Sequence, residues 1–140
     1  MKTVDADFDA IAKELAELPA NTPVFMLNLL KFRDQADYGA NAGGFSPCTG
    51  REAYFERYAP VASAHVAELG GEVVWAGEAQ AMLIAPPDED WDTTLLVRYP
   101  DRDAFLALTA IPEYQDVVVH RTAALVDSRL IAHRVADLGV

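Results

Sequence analysis

The run Val24–Phe32, VFMLNLLKF, is apolar on both of the faces that a β-strand presents. Phe25, Leu27 and Leu29 alternate with Met26, Asn28 and Leu30. A later run, WDTTLLVRYP, repeats the pattern: Trp91, Thr93, Leu95, Val97 and Tyr99 fall on one side, Asp92, Thr94, Leu96 and Arg98 on the other. A sheet made of such strands cannot leave a face in water without exposing a patch larger than soluble chains normally carry. One layer of helices covers one face only, so the other needs a second layer. A second copy of the chain, its sheet laid against the first, is the economical source of that layer. Asn28 adds a condition, because an amide buried without a partner costs about 1–3 kcal/mol. Its partner is therefore either a ligand held in an inter-subunit cavity or a buried neighbour.

The rest of the chain supplies the order of elements. With 140 residues and 51% hydrophobic content, one domain with a sizeable core is expected. Phe8, Ile11, Leu15 and Leu18 recur at helical spacing, which predicts an amphipathic helix over Asp5–Leu18. Asp34–Gly50 is glycine-rich and aperiodic, a loop long enough to act as a lid. Thr49 and Glu52 form a capping box that opens a helix over Arg51–Leu69, in which Pro60 predicts a kink or a short break near Ala59. Gly70-Gly71 ends it, and Glu72–Ala85 and Trp91–Pro100 follow as a hairpin. A helix from Asp101 to Ile111, a second starting at Pro112, and a strand over Ser128–Val135 complete the chain. The sequence β-α-β-β-α-β is that of an α+β, ferredoxin-like sheet with helices on one face and an extra N-terminal helix. Residues 1–22 are expected as accessory helix and linker, and 23–140 as the domain.

Eleven basic against twenty-two acidic residues give a net charge of −11, which argues against nucleic acid and anionic membranes as partners. No run approaches the length of a membrane span, residues 1–14 lack the features of a secretory signal, and the single Cys48 has no disulfide partner. A cytoplasmic protein is the expectation. The three histidines are far apart, and neither a metal-ligand spacing nor a phosphate or dinucleotide fingerprint is present, so no metal and no cofactor is expected. A lone histidine gives haem little support.

The strings VFMLNLLKFR, TGREAYFERY, GGEVVWAG, WDTTLLVRYP, FLALTAIPEYQ and HRTAALVDSRLI together resemble the family called domain of unknown function 1330, in the dimeric α/β-barrel superfamily. The similarity spans about Pro23 to Val135. It implies a ferredoxin-like homodimer and, by itself, no activity. The wider superfamily includes cofactor-free monooxygenases, lactone isomerases, cyclases and haem enzymes.

With the aromatic-bearing faces toward the helices, Asn28 and Arg98 are expected to point together into a cavity between two sheets. There Arg98 would hold a carboxylate, enolate or phenolate; the alternative is a salt bridge to Asp92 or to an acid of the partner. His65, near Tyr54 and Tyr58 on one helix face, is a candidate general base with a tyrosine as donor, or else a hydrogen-bonded packing residue. Met26, Trp75 and Trp91 are candidate wall residues. Arg121 is a further ligand-binding candidate or a structural ion pair with Glu113 or Asp127. One of His120 and Arg121 is expected to face solvent, and His133 is read as an edge or surface residue. The expected activity is a cofactor-independent oxygenase, isomerase or cyclase acting on a small apolar organic acid, phenol or ketone. Its alternatives are a metabolite binder without turnover and a dimeric interaction module.

Overall fold

The two-sided run Val24–Phe32 becomes β1, one of the two inner strands of the sheet. The computed structural model describes residues 1–139, with only the backbone of 41 and 42. Three further strands, β2 (Glu72–Glu78), β3 (Thr93–Tyr99) and β4 (Leu125–His133), give the order β2-β3-β1-β4, every neighbour antiparallel. Five helices, α1 (Phe8–Ala16), α2 (Gly50–Glu52), α3 (Ala59–Glu68), α4 (Arg102–Ala110) and α5 (Pro112–Ala124), complete an α+β, ferredoxin-like fold. The last residue of the expected 23–140 domain lies outside the described residues. Among the described residues, no helix is long and apolar enough to cross a membrane.

Antiparallel register decides which side chains share a face, because residues directly opposite one another point the same way. Met26 faces Val97, Asn28 faces Leu95 and Leu130, and Leu30 faces Thr93 and Ser128. This side meets the helices. Met26, Leu30, Val97 and Tyr99 pack with Tyr54, Tyr58, Val66, Phe105, Leu108 and Tyr114 in one core. On the other side Phe25 is opposite Arg98 and His133, and Leu29 is opposite Thr94 and Arg129. Between them, Trp75, Leu96, Leu27 and Ile131 form an unbroken apolar rung across all four strands. Among the described residues, no element covers that rung; Trp75 is 56% and Ile131 43% exposed.

The capping box forms as expected, with the Glu52 N–H donating to Thr49 Oγ1 and the Thr49 N–H to Glu52 Oε1. The expected kink at Pro60 is instead a π-helical turn, Ala53–Tyr58, between α2 and α3. There the Ala59 N–H reaches back five residues to the Tyr54 carbonyl. Pro60 has no N–H to continue the ordinary ladder, and one widened turn accommodates it without breaking the helix. Gly50 makes a close approach: a Cβ there would lie 2.3 Å from the Arg33 carbonyl oxygen and 2.5 Å from that of Ala124.

Other boundaries differ from those expected. β2 ends at Glu78 rather than Ala85, because Glu78 is already opposite Thr93. A longer strand would have to pair with residues 86–92, and there Asp92 gives its N–H to the Leu30 carbonyl of β1 while Pro86 and Pro87, opposite Ala85 and Ile84 in that register, have none. Leu83 and Ile84 are consequently 91% and 99% exposed. β4 starts at Leu125, three residues before Ser128, since α5 runs directly into the sheet. The 34–50 loop, expected as a lid, is pinned to α5. The Asp37 N–H donates to the Ala123 carbonyl, and Tyr38 Oη lies 2.8 Å from His120 Nδ1.

A candidate functional site between the sheet and the helices

A cavity of about 430 Å³ lies inside one chain, between the helix-facing side of the sheet, the π turn, α4 and α5, with residues 3–11 along its mouth. Its walls are mainly apolar: Met26, Leu95 and Val97 from the sheet, Phe105 and Leu108 from α4, Val118 from α5. The widened turn places both Tyr54 and Tyr58 on the lining, each buried. Such turns are frequent at functional sites because they re-aim side chains that a regular helix would rotate away.

Polar groups in the cavity are few. Asn28 Nδ2 donates to the Met26 carbonyl at 3.3 Å, while its Oδ1 accepts no hydrogen bond from the described residues. Tyr58 and Tyr114 share a hydroxyl–hydroxyl hydrogen bond of 2.8 Å. The Tyr54 hydroxyl lies beside the Arg121 guanidinium, and the Tyr99 hydroxyl has no hydrogen-bond partner among the described residues; both rings are buried. Burial pushes the Tyr54 hydroxyl up to about 12, with the nearby Arg121 guanidinium working against it. Burial likewise raises Tyr58, and the neighbouring Tyr114 and Tyr54 add to the shift. Both phenols are therefore neutral donors at ordinary pH.

Arg121 is half-buried on the lining, and its Nη1 donates to the Val4 carbonyl at 3.1 Å. Neither ion-pair partner expected for it is used. Glu113 accepts from His65, and Asp127 pairs with Arg129 at 2.6 Å. Asp127 also accepts from the Thr3 N–H, and the Thr3 carbonyl accepts from the Ser128 N–H, so residues 1–4 are held across β4 and α5. Arg102 Nη1 donates to the carbonyls of Leu15, Ala16 and Leu18, which caps α1 over the same side of the molecule.

Of the residues expected in the site, Asn28, Tyr54, Tyr58, Met26 and Arg121 meet around this cavity. Arg98 does not: it is opposite Phe25, on the face away from the helices, whereas Asn28 is opposite Leu95. Paired residue numbers in β1 and β3 sum to 123, so the even-numbered Asn28 shares a face with odd-numbered residues of β3 and not with Arg98. Arg98 makes no ion pair with Asp92, which instead accepts from Lys31 Nζ and the Phe32 N–H. Trp75 is on the open face, and Trp91, just before β3, is buried beneath Arg129, whose guanidinium stacks over it at 5.1 Å; neither lines the cavity. His65 is turned outward to Glu113 at 2.8 Å and Glu68 at 3.2 Å; the Glu113 hydrogen bond first, then that of Glu68, raises its pKa. Within one chain, the cavity lies between sheet and helices. Among the described residues, no group of three metal-ligating side chains assembles.

The sequence profile of DUF1330, a domain of unknown function, matches residues 47–135. The chain belongs to the DUF1330 family. The crystal structure of methylated RPA0582 protein is 35% identical and superposes with a TM-score of 0.86 over 99% of this chain and 98% of its own. The RPA0582 protein of unknown function from Rhodopseudomonas palustris gives 35% identity, 98% and 99% coverage and a TM-score of 0.85. A protein from Bacteroides fragilis, described as dimeric, of unknown function and with a ferredoxin-like fold, is 14% identical over 81% of this chain and 96% of its own, TM-score 0.50. That last likeness is one of fold. No curated protein matches the chain. The DUF1330 segment contains Tyr54, Tyr58, Leu95, Val97 and Arg121, while Met26, Asn28 and residues 3–11 precede it. Sequence reasoning missed Tyr99, Tyr114 and the N-terminal segment as parts of the lining. The PEY string around Tyr114 was available as a signal for one of them.

Proposed function

We propose that this protein binds a small, largely apolar organic molecule carrying a polarisable oxygen, an acid, phenol or ketone, in the cavity between its sheet and helices. One observation supports the reading above the rest: a 430 Å³ cavity with apolar walls into which a guanidinium, a carboxamide oxygen and neutral phenols converge. Small-molecule sites have this build, about 300–1,000 Å³ and mostly apolar with a few fixed polar groups. Arg121 and the Tyr54 hydroxyl are suited to stabilising negative charge that develops on a ligand oxygen. Cofactor-independent oxygenation, isomerisation and cyclisation all need that stabilisation. No histidine lines the cavity, and its two carboxylates stand exposed at the mouth, Asp7 capping the Ala10 N–H and Asp5 in solvent, so binding is favoured over turnover.

The same proposal includes a homodimer in which a second copy covers the rung Trp75, Leu96, Leu27 and Ile131, as the apolar open face requires. The dimeric description of the Bacteroides protein is consistent with it.

The cavity is tested by a thermal-shift screen of small aromatic acids, phenols and ketones against the wild type and Leu95→Trp, whose indole fills the space. Compounds that raise Tm in the wild type and not in the folded variant are expected. Equal shifts in both proteins, or none in either, would remove the reading.

A further inference from the structure

The wall chemistry narrows the ligand. Arg121 is a half-buried guanidinium that uses Nη1 on the Val4 carbonyl and forms no ion pair among the described residues. A cation withdrawn from water is normally matched by an anion, since its own desolvation is otherwise uncompensated. None of the acids around it forms an ion pair with it: Glu113 pairs with His65, Asp127 with Arg129, Asp7 caps the Ala10 N–H, and Asp5 stands exposed at the mouth. The Val4 bond fixes one edge of the guanidinium fork and leaves donors for a planar two-oxygen acceptor, the geometry in which arginine binds carboxylates best.

The Tyr54 hydroxyl lies beside Arg121 and is held neutral, a second donor to the same anion. The chain's net charge of −11 disfavours a polyanion at long range. Met26, Leu95 and Phe105 make the walls apolar, with Asn28 the polar side chain beside Leu95. From these placements we infer that the cavity selects a monocarboxylate with an apolar, ring-sized body, its carboxylate on Arg121 and Tyr54 and its body against the sheet. The inference rests on the cavity reading of the preceding subsection.

The test compares charge at constant shape. Benzoate and 2-naphthoate are titrated calorimetrically against wild-type protein beside benzamide and 2-naphthamide, which keep the ring and lose the charge. At least one acid should bind tenfold or more tighter than its amide, and Arg121→Met, its fold checked by circular dichroism, should abolish that preference. Arg121→Lys should retain part of it, which keeps the test intact if the methionine variant fails to fold. Amides that bind as well as their acids would overturn the anion assignment and leave the cavity reading standing. If neither acids nor amides bind, while other compounds bind in the Leu95-dependent manner, the carboxylate assignment alone falls. If nothing binds, both fall.

Discussion

Replacing Leu96 by glutamate should dissociate the proposed dimer without unfolding the chain. Leu96 is in the middle of the open face, opposite Leu27 on one side and Trp75 on the other. Four strands about 4.8 Å apart, paired over some seven residues of about 3.3 Å each, make a face of roughly 19 by 23 Å. Side-chain relief brings roughly 440 Å² of projected area to about 800 Å² of accessible surface, the share each partner contributes to a stable interface. A carboxylate enclosed there costs about 3–5 kcal/mol where it is unpaired, and Arg98, two residues along on the same face, offsets part of that. Two-fold symmetry presents it twice, so dissociation is favoured by at least about 3 kcal/mol, or ~10²-fold in Kd. In the free monomer the introduced carboxylate would stand in water at little cost, so far-UV circular dichroism should be unchanged. Sedimentation velocity at micromolar concentration should show a dimer for the wild type and a monomer for Leu96→Glu. A monomeric wild type at about 100 µM, far above the Kd range of a stable interface of this size, would refute the reasoning, and so would a variant that remains dimeric with the same Kd.

Gly50→Ala should destabilise by about 3–5 kcal/mol: the new methyl displaces two backbone carbonyls and breaks the Arg33 N–H to Ala124 and Gly50 N–H to Arg33 bonds. A fall in Tm of less than about 3 °C would contradict the close approach. The docking of the 34–50 loop should weaken in acid. Arg57 donates to Tyr38 Oη at 3.0 Å, which leaves the Tyr38 hydroxyl to donate to a neutral His120 Nδ1. Burial, then the charge of Arg57, depresses the pKa of His120, so its contribution is full above the ordinary histidine value of about 6.5 and is lost as pH falls through the lowered one. Amide exchange in residues 36–48 should therefore accelerate toward about pH 5, and Tyr38→Phe should flatten that dependence. Exchange that is independent of pH in the wild type, after correction for the intrinsic rate, would contradict it.

Much of the architecture is legible in local chemistry. The bounds of β1 are readable from Pro23 and the apolar run, and the start of α2 from the reciprocal bonding of Thr49 and Glu52. Asp101 and Pro112 similarly mark the starts of α4 and α5. These signals act over a few residues, so a linear reading finds them. The length of β2 is different in kind. Its residues favour a strand to Ala85, but Glu78 is already opposite Thr93, the first residue of β3, so residues 79–85 have no β3 residue to pair with.

The site shows the same division more sharply. That β1 carries an amide among apolar neighbours, and that both strand faces need covering, follows from composition and a period of two. Which face Asn28 takes does not, because alternation says only that neighbours differ and is silent on which alternate set meets the helices. The pairing of Asn28 with Leu95 and of Phe25 with Arg98 decides it, sending Asn28 toward the helices and Arg98 to the open face. Likewise the sequence by itself determined a helix bearing Tyr54, Tyr58 and His65. The π turn, a tertiary accommodation of Pro60, brought the two tyrosines onto the cavity, and the proximity of Glu113, forty-eight residues away, drew His65 out of it. Periodicity limits what a strand or helix can bury; register, and the competition of distant partners for each polar group, choose what it does bury.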